Sequence, residues 1–297
     1  MCVRQHRNPI FCLIPPYMLD QIARNGDKAQ RDVALRTRAK DSTFRSLRMV
    51  AVPSKGAAHM ALAMGADKRR SIYSAEGADS LPGKLIRGEG QPASGDVAVD
   101  EAYDGLGATF DFFDQVFDRN SIDDAGMALD ATVHFGQSYN NAFWNSSQMV
   151  FGDGDQQLFN RFTIALDVIG HELAHGVTED EAKLMYFNQS GALNESLSDV
   201  FGSLIKQYAL QQKAQDADWL IGKGLFTKQI KGTALRSMKA PGTAFDDKLL
   251  GKDPQPWHMD DFVQTYEDNG GVHINSGIPN HAFYQVATKI GDRKSVV

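Results

Sequence analysis

Residues 167–175 read DVIGHELAH, and residues 191–199 read GALNESLSD. His171 and His175 are four positions apart, so on a helix they lie on one face and both imidazoles reach the same point. Glu195 follows twenty residues after His175, which lets the chain turn and return a second helix with a carboxylate ligand. Two imidazoles and one carboxylate leave the fourth tetrahedral position open for water. The two stretches therefore predict a catalytic zinc site.

Residues next to these ligands strengthen the prediction. Glu172 directly follows the first histidine and is predicted to be the base rather than a ligand. Asn194 and Asp199 bracket Glu195 on one predicted helix and can accept the other ring N–H of each histidine, which fixes the tautomer. The apolar side of the histidine helix is formed by Ile164, Val168, Leu173 and Val177. A helix with two surface histidines is the alternative, but the combined pattern favours a zinc hydrolase.

Four motifs carry a closer resemblance: YNNAFWN at 139–145, HELAH at 171–175, GALNESLSD at 191–199 and DNGGVHINSG at 268–277. Together they closely resemble the thermolysin-like metallopeptidases of the M4 family, with similarity from about Ile72 to Ile290. Thermolysin is itself a standard example of a catalytic zinc site with two histidines and one glutamate. The resemblance implies an α+β fold with a β-rich N-terminal lobe, a mainly helical C-terminal lobe and the zinc helix between them.

The resemblance also implies roles in peptide hydrolysis. Zinc held by the three ligands would lower the pKa of water towards about 7, and Glu172 would act as general base and then general acid. Tyr186 and His273 would donate to the oxyanion, with Asp268 orienting His273. Arg236 would bind the substrate carbonyl beyond the scissile bond.

Substrate binding is implied in the same way. Asn141 and the backbone of Ala142 match the clamp that holds the peptide backbone. The pocket for the residue after the scissile bond would be lined by five apolar side chains, namely Phe159, Phe162, Val168, Ile221 and Leu235. Burial of a large apolar side chain contributes about 1.5–3 kcal/mol, so cleavage before Leu, Phe or Ile is expected. The alternative for these five residues is an ordinary core position.

The N-terminal 48 residues differ in charge from the rest of the chain. They hold ten Lys or Arg and four Asp or Glu, a net charge of +6, whereas the remainder carries −12. This favours attraction between the two parts. A nucleic-acid arm is the alternative, but the aromatic interleaving of such arms is missing. PPYML at 15–19 resembles the short propeptide of protealysin-like members, which implies a zymogen whose leader covers the cleft and is removed near residues 45–55.

Both cysteines, Cys2 and Cys12, lie in this leader, so the body is expected to have no disulfide framework. A thiolate that caps the zinc is the alternative to two thiols without a role. Absence of an apolar stretch of 18 residues or more predicts no membrane span. The apolar run Ile10–Ile14 is too short for a standard signal peptide. Because the family is mostly exported, we expect secretion by another route, with a cytoplasmic stage as the alternative. The protein is also expected to be a monomer.

Calcium is expected to be largely lost. Relatives bind it through an acidic cluster beside the zinc helix, and Asp167 and Asp218 occupy two of those positions. The other positions hold Lys206, Leu220 and Lys223. The ammonium of Lys206 is predicted to replace the ion by pairing with Asp167 or Asp218. A separate calcium site in the loop containing Asp153 and Asp155 is left open.

The predicted organisation is a prosegment at 1–49, an N-terminal lobe at 50–180, a C-terminal lobe at 181–291 and a tail at 292–297. Because the resemblance stops at Ile290 and DRKSVV matches a translated sequencing adapter, the tail is expected to be non-native and the lobe truncated. Two other functions stay open: an inactive fragment or leader-locked binding protein, and a zinc hydrolase acting on other substrates.

Predicted helices span 98–117, about 163–179 and 190–213, and predicted strands span 130–135 and 148–152. Hairpins are predicted in 72–100, a loop at 54–67 and an irregular stretch at 239–258.

Overall fold

The computed structural model of the protein describes residues 11–50 and 68–290. The predicted loop at 54–67, the predicted tail at 292–297 and Cys2 lie outside the described residues. So do residues 51–55 of the region where cleavage of the leader is expected.

A six-stranded mixed sheet forms the N-terminal lobe. Its strands are β1 (Phe11–Cys12), β2 (Arg70–Ser74), β3 (Lys84–Gly88), β4 (Leu129–Val133), β5 (Ala142–Trp144) and β6 (Gln148–Phe151), in the spatial order β1-β5-β6-β4-β2-β3. β4 lies parallel to both β2 and β6, and the other pairs are antiparallel. Every residue of β6 is buried, as expected for a central strand with an apolar run.

Seven α-helices complete the described fold: α1 (Pro16–Asn25), α2 (Lys28–Val50), α3 (Val97–Phe117), α4 (Leu166–Glu181), α5 (Asn188–Ala209), α6 (Asp268–Asn275) and α7 (Gly277–Ile290). Asp96 caps α3, because its carboxylate accepts from the backbone N–H of Ala98 and Val99. α3 packs against the sheet and α4, and α5 packs against α4, α6 and α7. The helix that carries both histidines therefore lies between the sheet and the helical lobe.

One detail of the predicted zinc helix is wrong. Ile164 belongs to a short 3-10 helix at Phe162–Ile164 that precedes α4, and its side chain is 37% exposed. The other three residues of the predicted apolar side are buried. The apolar face therefore begins at Val168, one turn before His171.

The helical lobe contains more irregular chain than predicted. Between α5 and α6 the chain forms a 3-10 turn at Met259–Asp261, isolated bridges, and two short ladders, in which β7 (Leu220–Ile221) pairs with β8 (Arg236–Ser237) and β9 (Asp246–Asp247) with β10 (Gly251–Lys252). Side-chain hydrogen bonds support this segment. The Asp253 carboxylate, for example, accepts from the backbone N–H of Gly242, Ala244 and Gln255. Such local bonds leave no periodic signal in the sequence.

The N-terminal leader packs on the body as a strand followed by two helices. β1 pairs antiparallel with β5, so Phe11 lies opposite Trp144. Six apolar leader side chains are buried in the main core, namely Leu13, Ile14, Met18, Leu19, Ile22 and Ala34. Lys40 of α2 forms an ion pair with Asp79 of the body, in line with the predicted attraction.

Cys12 does not reach the zinc ligands. Its buried side chain packs in a small apolar cluster with Phe135, Tyr139, Phe143 and Val150. Among the described residues, Cys12 is therefore not a thiolate that caps the zinc, and Cys2, the other candidate, lies outside them. Among the described helices, none is long and apolar enough to cross a bilayer.

Candidate zinc centre and active site

α4 and α5 bring the three predicted zinc ligands to one buried point. The Nε2 atoms of His171 and His175 are 3.1 Å apart. Glu195 Oε2 lies 3.5 Å from Nε2 of His171, and Glu195 Oε1 lies 3.3 Å from Nε2 of His175. Two ligands about 2.05 Å from a tetrahedral ion are about 3.3 Å apart, so these separations fit zinc.

The outer ring nitrogens explain why a cation is needed here. His171 Nδ1 lies 2.8 Å from Asp199 Oδ1, and His175 Nδ1 lies 2.7 Å from Asn194 Oδ1 and 2.9 Å from the Ser198 hydroxyl. When each Nδ1–H donates to its oxygen, both Nε2 lone pairs face each other in a buried space. A metal ion resolves that repulsion. Ser198 was missed in the sequence because one serine has no distinctive signal.

Burial and neighbouring charges set the protonation of these groups. Burial lowers the pKa of His171 to about 4, so the ring is neutral and can act as a ligand. Burial alone would raise the pKa of Glu195, but His273 and His175 hold it well below its ordinary value. Burial is also the largest single influence on Asp199, but Arg236 and His171 together outweigh it and lower the pKa of Asp199 to about 2. The centre is therefore anionic and suited to a divalent cation.

Glu172 lies beside this point without being one of the three converging ligands. Its Oε2 accepts from the backbone N–H of Trp144 at 3.1 Å, and the residue is fully buried. Within the described residues, Glu172 Oε1 has no hydrogen-bond partner. Burial and the nearby Glu195 raise the pKa of Glu172 well above its ordinary value. This carboxylate is held by one oxygen, while the other is available for proton transfer.

Two further donors, Tyr186 and His273, meet at the carboxylate of Glu195. The Tyr186 hydroxyl donates to Glu195 Oε1 and lies 3.3 Å from Nε2 of His273. The ring nitrogen Nδ1 of His273 lies 2.6 Å from Asp268 Oδ1, and the backbone N–H of His273 donates to Asp268 Oδ2 at 2.9 Å. The chain can fold back in this way because the four residues from Asp268 to Gly271 have φ between 51° and 84°. Asn and Gly favour this left-handed conformation, which explains the DNGG sequence.

Arg236 of β8 binds the carboxylate of Asp199, which orients His171. Its Nε and Nη2 donate to the two oxygens of Asp199 at 2.8 and 2.7 Å. The other terminal nitrogen, Nη1, is buried and has no hydrogen-bond partner among the described residues. Arg236 can thus bind a carbonyl oxygen while it stays anchored to Asp199.

The predicted substrate-binding residues divide into two groups. Asn141 and Ala142 lie at the start of β5, beside the leader, where Ala142 O accepts from the N–H of Leu13 and Asn141 Oδ1 from the N–H of Ile14. The five predicted pocket residues are all buried in the main core. Two of them, Phe159 and Phe162, stack with ring centroids 5.9 Å apart. Ile221 pairs with Arg236 across β7 and β8, so this end of the core adjoins the catalytic centre.

Lys206, the predicted replacement for calcium, forms the expected ion pairs. Lys206 Nζ lies 2.9 Å from Asp167 Oδ2, 3.0 Å from Asp218 Oδ1 and 3.3 Å from Leu220 O. Lys223 Nζ is 3.3 Å from the second oxygen of Asp218. Burial lowers the pKa of Lys206, but the two aspartates raise it by more, so the ammonium stays charged. The ammonium of Lys206 thus lies between two carboxylates, as predicted.

The second candidate calcium loop is also engaged. His134 Nδ1 lies 2.9 Å from Asp153, and His134 Nε2 lies 3.0 Å from Asp96 Oδ2. Asp155 Oδ1 accepts three backbone N–H groups, and its other oxygen accepts from Asn140. Hydrogen bonds to Asp153, followed by those to Asp96, raise the pKa of His134 to about 9. A charged imidazole thus sits between two carboxylates of this region.

Comparison with known proteins agrees with this geometry. The family model of the thermolysin metallopeptidase catalytic domain matches residues 32–179, and that of the alpha-helical domain matches residues 182–296. An extracellular metalloprotease of Pectobacterium carotovorum subsp. carotovorum is 58% identical over 95% of this chain and 80% of its own length. Protease PrtS of Photorhabdus sp. (strain Az29) is 54% identical over 94% of this chain and 76% of its own.

A solved structure supports the fold. The precursor of protealysin, a metalloproteinase from Serratia proteamaculans, matches with a TM-score of 0.86 and 58% identity over 96% of this chain and 82% of that chain. The fold and the converging ligands define a zinc metalloendopeptidase with two lobes. The chain belongs to the thermolysin metallopeptidase family and is protealysin-like.

Replacing Lys206 with Ala should destabilise the protein by about 3 kcal/mol, because it leaves the buried Asp167 carboxylate without its cation. Millimolar calcium should then raise the melting temperature of Lys206→Ala but not that of the wild type. Thermal unfolding with and without calcium measures both effects, and Lys213→Ala, at an exposed position after the end of α5, is the control. A calcium-dependent rise in the wild type that Lys206→Ala abolishes would contradict the replacement.

The His134 bridge should make stability depend on pH. The pKa of His134 is raised from about 6.5 in the unfolded chain to about 9, so its contribution is complete below about pH 6.5 and is lost as the pH rises through 9. The excess stability of the wild type over His134→Asn should therefore be largest near pH 6 and vanish above pH 9. Asn tolerates the left-handed backbone at this position, where φ is 54°. Denaturant unfolding from pH 6 to 10 measures this difference; a constant difference would refute the bridge.

Proposed function

We propose that this zinc endopeptidase cleaves peptide bonds on the N-terminal side of large hydrophobic residues, with Glu172 as the general base. The observation that carries the proposal is the buried Glu172 Oε1, which has no partner among the described residues and belongs to the same helix as two zinc ligands. A zinc ion held by His171, His175 and Glu195 would polarise the scissile carbonyl and acidify water.

In this mechanism Glu172 accepts the proton of the attacking water and later delivers it to the leaving amine. The hydrogen bond from Trp144 N to Oε2 keeps the carboxylate in one orientation during both transfers. Tyr186 and His273 donate to the oxygen that becomes negative. Each such donor contributes about 3–4 kcal/mol when it is oriented beforehand, and Asp268 orients His273 through its Nδ1–H.

Substrate recognition follows from the same residues. Nη1 of Arg236 binds the carbonyl beyond the scissile bond, since the other guanidinium donors are held by Asp199. Asn141 clamps the peptide backbone with its carboxamide, and the Ala142 backbone does so at the strand edge. The pocket for the next side chain is formed by Phe159, Phe162, Val168, Ile221 and Leu235. An apolar lining of this kind disfavours Asp or Lys, whose charge would lose its hydration.

Replacing Glu172 with Gln should reduce kcat/KM by about 10²–10⁴-fold, because general base catalysis is lost while the side chain keeps its shape. Hydrolysis of furylacryloyl-Gly-Leu-amide by the processed enzyme measures the effect, and Glu181→Gln at the exposed end of the same helix is the control. A zinc chelator should abolish activity of the wild type.

The same assay with Phe, Asp or Lys in place of Leu examines the pocket. Leu and Phe peptides should be cleaved and the charged peptides should not. Equal rates on all four peptides would sink the pocket assignment. Complete inactivity of folded, processed protein would favour the alternative of an inactive fragment or leader-locked binding protein, and activity that survives chelation would exclude zinc catalysis.

We also propose that the leader holds the chain as a zymogen. Support comes from hydrogen bonds of the leader to residues of the substrate clamp. Leu13 N–H donates to Ala142 O at 3.1 Å, and Ile14 N–H donates to Asn141 Oδ1 at 2.8 Å. Burial raises the pKa of Tyr17 of the leader well above its ordinary value, and the charges of Asp253 and Asp268 raise it further. A substrate backbone would compete for these bonds.

Helix α2 of the leader engages the remaining group of the clamp. Asp41 Oδ2 accepts from Asn141 Nδ2 at 2.9 Å, and Asp41 Oδ1 accepts from the Tyr139 hydroxyl. Thr37, one turn earlier, accepts from the backbone N–H of Asn140 at 3.2 Å. Asp41 is buried although it belongs to the basic leader. The leader therefore occupies both the acceptor and the donor of the Asn141 carboxamide.

Replacing Asp41 with Asn should weaken the leader, because an amide places N–H groups where a carboxylate accepted two donors. Charged hydrogen bonds of this kind contribute about 1.5–3 kcal/mol, so basal hydrolysis by the unprocessed full chain should rise about tenfold or more. Asp32→Asn, on the exposed side of the same helix, is the matched control. Equal basal rates for both variants and the wild type would show that Asp41 does not hold the leader.

The names of two relatives favour export. One is an extracellular metalloprotease, and another relative, from Serratia marcescens, is an extracellular minor metalloprotease. We propose that this chain is also secreted, acts on peptides or proteins and works as a monomer. We also propose that the leader ends near residue 49 and that the N-terminal lobe ends near residue 180.

A further inference from the structure

The Asp199 carboxylate is fully occupied by four hydrogen bonds. Oδ1 accepts from His171 Nδ1 at 2.8 Å and Arg236 Nη2 at 2.7 Å. Oδ2 accepts from Arg236 Nε and Asn280 Nδ2, both at 2.8 Å. An ionised carboxylate has about four lone-pair sites, so each site has a donor. Three of these donors belong to residues of the proposed mechanism, and the fourth, from Asn280, has no role so far.

Asn280 has its own fixed partner. The Ser196 hydroxyl donates to Asn280 Oδ1 at 2.8 Å, and both residues are at most 2% exposed. Only one orientation of the carboxamide satisfies both contacts, since the oxygen must face the hydroxyl and the Nδ2 group must face the carboxylate. Ser196 therefore prevents the amide from turning an oxygen towards Asp199, which would place two acceptors together.

This chain of contacts connects α7 to the histidine ligand. Asn280 lies in α7, Ser196 directly follows Glu195 in α5, and Asp199 lies one turn further along α5. A shift of Asp199 would move both the imidazole of His171 and the guanidinium of Arg236. Partners beyond the ligands of a metal typically affect affinity by about 10–100-fold when they are removed.

We propose that Asn280 and Ser196 are positioning residues that hold the Asp199 carboxylate in the orientation His171 needs to bind zinc. Ser196 fixes the Asn280 amide, Asn280 fills the last acceptor site of Asp199, and Asp199 then holds the His171 ring. The inference rests on the proposed role of His171 as a ligand. It predicts that two residues without direct access to the ion control its affinity.

A competing role for Asn280 is to fasten α7 to α5 without any effect on the metal. The two roles differ in a measurable way. A purely structural contact would change the stability of the metal-free protein, whereas a positioning contact changes zinc affinity beyond any change in stability.

The experiment compares four full-length variants with the wild type: Asn280→Asp, Asn280→Ala, Ser196→Ala and Ser203→Ala. Ser203 is the matched control, because it is a buried serine of the same helix whose hydroxyl accepts from Gln207 and does not lead to Asp199. Zinc affinity is measured by competition with a chromogenic chelator, and the melting temperature is measured on the metal-free protein. Neither readout requires removal of the leader or peptide hydrolysis.

Asn280→Asp should weaken zinc binding by about tenfold or more, because it replaces a donor with a second carboxylate. Ser196→Ala should weaken it by about threefold or more with the same melting temperature as Ser203→Ala, and it carries the test if the Asn280 variants do not fold. Zinc affinities of both Ser196→Ala and the folded Asn280 variants that equal that of Ser203→Ala would overturn the inference. His171→Ala is measured in parallel: if it also leaves zinc affinity unchanged, the proposed ligand set has failed, and otherwise only the positioning role has.

Discussion

At the contact between α4 and α5, Gly170 and Gly202 let the two helices approach more closely than any other residues would. A Cβ atom on Gly202 would lie 2.3 Å from the carbonyl oxygen of Asp167, and one on Gly170 would lie 2.8 Å from Cδ1 of Ile205. Zinc–ligand distances vary by only about 0.2 Å, so the spacing of the two helices decides whether the carboxylate of α5 can meet the imidazoles of α4. The proposed catalytic groups depend on that spacing, since they are arranged around the same point.

The parts of the site that lie within one helix could be predicted from sequence. His171 and His175 share a face because their spacing is one helical turn, and the structure brings Glu195 to them as the twenty-residue gap allowed. The ion pair of Lys206 with Asp167 could also be predicted, because the resemblance implies that this lysine lies next to the carboxylate. Contacts that join distant segments could not. Asp41 lies 100 positions from Asn141, and no local pattern relates the two.

The errors in the sequence-based fold have a common cause. Ile164 fits helical spacing, but Val168 and Ile169 direct their N–H groups to Ala165 O, so the α-helix begins after Ile164. The irregular segment between α5 and α6 is held by turns and side-chain acceptors such as Asp253, which give no periodic signal. Helical periodicity reports the burial of a face, and it cannot locate the residue at which the hydrogen-bond pattern changes.

Lys206 belongs to the same path of hydrogen bonds as the zinc ligands. While its Nζ holds Asp167 Oδ2, Asp167 Oδ1 accepts from Gly222 N–H at 3.0 Å. Gly222 follows β7, whose Ile221 pairs with Arg236, and Arg236 grips Asp199 on α5. The path thus leaves α4 near its first turn and returns to the histidine on the same helix. Since an ammonium tethered to α5 cannot dissociate as a bound ion can, this path is closed whenever the chain is folded.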